Sequence, residues 1–207
     1  MKLQRPWAID YTEDWIRLAK DMEHDEILTL DVLQLLTEVG FRSLAEVHNL
    51  LDVIASTWTV VDGELVERVS PEAEAQYQQA LAPRDEASGH LRDAWGAAFG
   101  LEDDASEACA AATRAVEAVL KPMTTPKDSK ATFGKMRKVI VDAPPKFEFI
   151  LADDPLAFLP FLDLAKFQPG RHGGDENAPP TIEEARATVH GAVTVVEWLR
   201  SGVFRAV

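Results

Sequence analysis

Apolar residues recur at steps of three and four along most of this chain, which is the period of helices that bury one face. In EILTLDVLQLLTEVG, residues Ile27, Leu30, Leu33 and Leu36 keep that period and Gly40 follows as a stop. Ser43-Leu-Ala-Glu46 has the form of a capping box and opens a further helix, LAEVHNLLDVI. The period then changes. STWTVVDGELVERVS carries two alternating runs around Asp62-Gly63. Asp-Gly tolerates the positive φ angles of a tight turn, so the stretch predicts a β-hairpin. A lone hairpin is marginal in water. It must lean on helices, and it reads as the end of an N-terminal module, residues 1–69.

Residues 70–207 return to helical periods. Ser70-Pro71 is a helix opening with a hydroxyl cap and proline in the first turn. A helix resumes near Asp85, projects His90, Trp95 and Phe99, and ends at Gly100. DDASEACAAATRAVEAVLKP is next, with acids first and Lys121-Pro122 at its end. SKATFGKMRKVIVDAPP predicts a shorter basic helix stopped by Pro144-Pro145, and PLAFLPFLDLAKF an apolar one. Thr181-Ile-Glu-Glu184 is a second capping box. The helix behind it has an apolar stripe of Ile182, Ala185, Val189, Val193, Val196 and Leu199. A polar stripe of Arg186, His190, Thr194 and Glu197 reads as its wet side. The fold class is mainly α: N-terminal helices with one β-hairpin, then a C-terminal helical bundle. Trp95, Phe99, Phe158, Phe161 and Trp198 fall at helical spacing among aliphatics, as core or interface residues do.

Composition narrows the classes. At 207 residues and 46% hydrophobic content a core can form without staples. The single cysteine, Cys109, excludes an internal disulfide and reads as a buried thiol among alanines. No Cys/His cluster has ligand spacing, so no metal or cofactor is expected. His24 lies in an acidic run without a fixed ligand geometry, and His48 reads as exposed on its helix. No apolar signal core or membrane-length segment is present, which predicts a cytoplasmic protein with no membrane association. The net charge of −14 argues against broad nucleic-acid binding. Its distribution is uneven: −8 over residues 1–70, −7 over 71–120, +5 over 121–146 and −4 over 147–207. The positive island is KPMTTPKDSKATFGKMRKVIVDAPPK, and taken alone it reads as a solvated helix face.

The candidate chemistry lies in FQPGRHGGDENAPP, the loop before the last helix. Backbone amides at Gly173 and Gly174 can approach a phosphate closely, since no side chain intervenes. Arg171 offers a permanent forked cation suited to phosphate oxygens. His172 can exchange protons near neutral pH. Together they could cleave RNA by taking a proton from a 2′-hydroxyl or protonating the leaving oxygen, with Arg171 and the amides stabilising the phosphate. The bland alternative is a helix–helix connector.

The order HLRDAWGAAFG, ASEACAAATRAVEAVLKP, SKATFGKMRKVI, RHGGDENAPPT and EEARATVHGAVTVVEWLRSG resembles bacterial HEPN-like domains, closest to the abortive-infection C-terminal group with its Arg-His-Gly signature. The resemblance covers about residues 70–207. It implies a helical bundle that pairs as a homodimer, with two motif loops facing, and a metal-independent ribonuclease of phage-defence or toxin type. An antitoxin or another protein would be a possible partner. The family motif is an Arg, a polar residue, and a His four to six positions after the Arg. Arg171 matches the Arg and His172 the polar neighbour. The distal positions hold Asp175, Glu176 and Asn177, so the distal His is absent. His172 could move the proton itself, His190 could reach in from the last helix, or the fold could serve binding alone. The resemblance also turns the basic island into a candidate RNA groove bearing Lys127, Lys130, Lys135, Arg137 and Lys138. Two other classes stand beside the ribonuclease: a noncatalytic HEPN-like interaction protein, and an acidic mimic of nucleic acid.

Overall fold

The computed structural model describes residues 29–30, 32–34, 44–53, 56–166 and 179–207. The fold is mainly helical. The chain divides into two compact units, Met1–Glu67 and Arg68–Val207.

In the first unit, residues 29–30 and 32–34 are helical, and α1 spans Leu44–Val53. Val47 and Leu51, one turn apart, are buried. Ser43, the expected cap, lies outside the described residues. The hairpin forms as the alternation predicts. Strand β1 (Trp58–Val61) pairs antiparallel with β2 (Glu64–Glu67), Val61 opposite Glu64. Asp62 (φ 52°) and Gly63 (φ 95°) both take positive φ, the signature of a two-residue primed turn. Side chains tie the hairpin to helices. The Gln34 carboxamide accepts from the Leu65 amide at 3.0 Å, and His48 Nδ1 lies 3.2 Å from the Thr59 hydroxyl. His48 is thus half-buried against β1, and its exposed-side reading is corrected.

The second unit begins with α2 (Pro71–Leu81). The Ser70 hydroxyl caps it by accepting from the Ala73 amide. Helix α3 (Glu86–Phe99) is capped by Asp85 and stops at Gly100. Helix α4 (Ala105–Thr124) is capped by Asp104. The sequence reading stops α4 at Lys121-Pro122, but the helix runs through Pro122 to Thr124. Proline's fixed φ is itself helical, and its missing amide forfeits one bond, to the Ala118 carbonyl, while the rest of the long helix holds. The Thr124 hydroxyl donates to the Leu120 carbonyl at 2.9 Å and helps hold that last turn.

Helices α3, α4 and α7 (Ile182–Arg200) pack mutually and form the core. Small residues let them approach: Ala94 and Ala98 of α3, Ala108, Ala111, Ala112 and Ala115 of α4, and Ala185 and Ala192 of α7 are fully buried. Helix α5 (Phe133–Asp142) starts without its own side-chain cap. Glu117, from α4, accepts the Phe133 amide instead. The apolar segment 155–164 breaks into a 3₁₀ turn, Pro155–Phe158, and a short α6, Leu159–Leu164. One element is absent from the sequence reading. Strand β3 (Phe147–Phe149) pairs antiparallel with β4 (Phe204–Ala206) at the chain's end. Phe147, Phe149, Phe158 and Phe204 are buried, and Phe158 stacks on Phe204 at 4.1 Å.

Candidate functional site

Arg171, His172, Gly173, Gly174 and Asn177 lie outside the described residues, as does His24. What is described is the frame of their loop. It leaves Lys166, beyond α6, and rejoins the chain before Thr181, the first residue of a complete capping box. The Thr181 hydroxyl accepts from the Glu184 amide at 3.3 Å, and the Glu184 carboxylate accepts from the Thr181 amide at 2.9 Å. The start of α7 is therefore fixed from both sides. Helices α6 and α7 meet almost backbone to backbone. A Cβ on Gly191 would sit 3.1 Å from the Leu164 carbonyl oxygen.

The polar stripe of α7 is not its wet side; it is the seam against α2 and α3. The Arg186 Nε donates to the Ala98 carbonyl at 2.9 Å, and its guanidinium lies over the Phe99 ring. The Thr194 hydroxyl accepts from Gln76 at 3.2 Å, and the Glu197 carboxylate from Gln79 at 2.9 Å. His190 packs edge-on to Trp95 at 5.5 Å and an interplanar angle of 89°, with Phe99 also at 5.5 Å. Burial pushes the His190 imidazole below its ordinary pKa, because desolvation penalises the charged form. This ring is a half-buried packing element, neutral near pH 7.

Trp95 also stacks on Tyr77 at 4.1 Å, so Tyr77, Trp95, Phe99 and His190 form one aromatic column linking α2, α3 and α7. The Trp95 indole N–H is buried and finds no acceptor among the described residues. Next to the column, Arg200 donates to the Ala80 carbonyl and to Asp85. Burial alone would raise the Asp85 carboxyl, but hydrogen bonds from Ser88 and Arg200 outweigh it and hold the group below the usual range. Neither the column nor the Arg200 clasp is visible in any local motif. The one hint is the i, i+4 spacing of Trp95 and Phe99.

Among the described residues, three of the basic island's seven cations pair with acids, two of which, Asp128 and Asp142, lie within the island itself. Lys135 pairs with Asp128, and Lys138 with Asp142 at 2.8 Å. Arg137 reaches across to α6 and grips Asp163 with two hydrogen bonds of 2.8 and 3.0 Å. Asp163 is only 8% exposed, so this bidentate pair is a structural clasp between α5 and α6. Lys127 and Lys130 are exposed. Cys109 is buried, as its alanine surroundings predict, and burial raises its thiol pKa. His90 sits 3.9 Å from Glu86 and 4.0 Å from Asp93, on its own helix. Among the described residues, no group of three or more His, Cys, Asp or Glu could hold a metal ion, and no helix is long and apolar enough to cross a membrane.

Comparison of the chain with protein-family models, curated proteins and solved structures gives no match.

Proposed function

We propose that residues 70–207 act as a HEPN-like domain directed at RNA, with the chemistry confined to the Arg171-His172 loop. The observation that supports this most is the setting of that loop. It runs straight into the doubly capped start of α7, a central helix of the bundle, as the resemblance to the Arg-His-Gly group implies. The packing of His190 against Trp95 and Phe99 favours His172 over His190 as the proton carrier. In this reading His172 accepts the 2′-hydroxyl proton as the 2′-oxygen attacks phosphorus. The 5′-oxygen leaves, takes up a proton from water, and a 2′,3′-cyclic phosphate remains. Arg171 offsets the developing charge.

The test is full-length protein with mixed cellular RNA, with and without EDTA. Cleavage that persists in EDTA is expected. It should vanish in Arg171→Ala and His172→Ala, and survive in His190→Gln with the helical spectrum unchanged. Intact RNA with folded protein would end this reading.

A second reading is a noncatalytic HEPN-like interaction protein. The pairing of Lys135, Arg137 and Lys138 with Asp128, Asp163 and Asp142 favours it, because charges already satisfied contribute less to a phosphate groove. Under it, RNA stays whole, expression is harmless with or without Arg171, and Lys130→Glu leaves RNA affinity unchanged.

A further inference from the structure

The turn after β3 breaks the usual chemistry of turns. Phe149 and Ala152 form a bridge, and the Ala152 amide donates to the Phe149 carbonyl at 3.1 Å, so Ile150 and Leu151 are the two central residues of a tight turn. Such positions normally take Gly, Asn, Asp or Ser. Here they present large aliphatic side chains, 55% and 61% exposed.

The turn is also held firmly. The Ile150 amide donates to the Val203 carbonyl at 3.0 Å, which extends the β3–β4 ladder to its base. Phe149 beneath it packs on Phe158, Phe161 and Trp198. An open cleft of about 380 Å³ is lined by residues 147–153. Two exposed aliphatic side chains on a rigid tip, beside a cleft, have the form of a recognition element.

Charge limits what can cover it. Segment 147–164 carries four acids, Glu148, Asp153, Asp154 and Asp163, and no base. Glu148 is paired with Arg205 and Asp163 with Arg137, while Asp153 and Asp154 are exposed directly after the tip. A second copy docking through a two-fold axis would bring Asp153 and Asp154 near their own images, on chains of net charge −14. An anionic lipid surface would repel the same carboxylates. A cationic partner is attracted. We infer that the Ile150-Leu151 turn is a docking site for a basic amphipathic helix of another protein. Its apolar residues would cover the tip, and its Lys or Arg side chains would meet Asp153 and Asp154. This inference is independent of the RNA-cleavage reading.

The test uses a dye-labelled 18-residue Leu/Lys amphipathic helix, a twin with Glu in place of Lys, and a scrambled Leu/Lys peptide. Binding to the full-length protein is followed by fluorescence anisotropy at about physiological salt. The Leu/Lys helix should bind more tightly than either control. Ile150→Ser with Leu151→Ser should weaken it at least tenfold, and Asp153→Asn with Asp154→Asn likewise. The double variant Glu72→Gln with Glu74→Gln, on α2, should leave it unchanged. Ile150, Leu151, Asp153, Asp154 and Glu72 are exposed and Glu74 is half-buried, and circular dichroism checks that each variant folds. Equal binding by all three peptides, no binding, or tip variants that bind like wild type would overturn the inference. So would sedimentation showing a dimer that Ile150→Ser with Leu151→Ser converts to monomer, since the tip would then be an interface between copies.

Discussion

An imidazole packed against two aromatic rings loses hydration that its protonated form needs more than its neutral form does. His190 is such a group, and its depressed pKa has a definite sign in the stability of the fold. Unfolded histidine titrates near 6.5. Between that value and the lower folded value, the unfolded chain binds more protons than the folded one. Stability is therefore full above about pH 6.5 and falls as pH drops toward the folded pKa. His190→Gln should flatten that part of the slope, read as melting temperature against pH from about 5 to 7. A slope identical in wild type and variant would mean the ring is hydrated. Residue identity alone does not reveal this. Arg186, His190, Thr194 and Glu197 recur at helical spacing as any exposed stripe does. Only α2 and α3, folded against that stripe, turn it into a seam.

Elements show where a missing side chain matters. Gly89 and Gly191 both sit inside helices, and helix propensity disfavours both equally. The surroundings separate them. A Cβ at Gly89 meets nothing within 4 Å, while one at Gly191 would press on the Leu164 carbonyl at 3.1 Å. Gly89→Ala should stabilise by about 0.5–1 kcal/mol. Gly191→Ala should destabilise by about 1–3 kcal/mol, as overpacking does. Urea titration of both variants checks the opposite signs. The caps are the legible part of the elements. Ser70, Asp85 and Thr181 cap where their local patterns place helix starts, because a cap binds amides only two or three residues ahead. Helix α5 is the counterexample. Its start depends on Glu117, sixteen residues earlier in the chain, and no local pattern encodes that distance.

At the scale of the whole molecule, the division near residue 67 has a thermodynamic consequence. The second unit holds its own three-helix core, its own caps and its own β-ribbon. A fragment of residues 70–207 should keep its helical circular dichroism and unfold in one cooperative transition. A fragment that is unfolded or melts without cooperativity would show that the first 69 residues complete the core. The net charge of −14 acts at this scale too, through long-range attraction of cationic partners rather than through the fold.

Periodicity by itself determined the helices, the Asp62-Gly63 hairpin and most helix starts, since each is written in residues within a turn or two of one another. Arg171 and His172 are legible in sequence as residue types, and both lie outside the described residues. Tertiary structure alone decided the rest. Strands β3 and β4 are three residues each and lie more than fifty residues apart, too short for alternation to register. The basic island keeps most of its charge on folding, since Asp128 and Asp142 are already counted in its +5; the pair that only folding adds is Arg137 with Asp163, which meet once α5 lies beside α6.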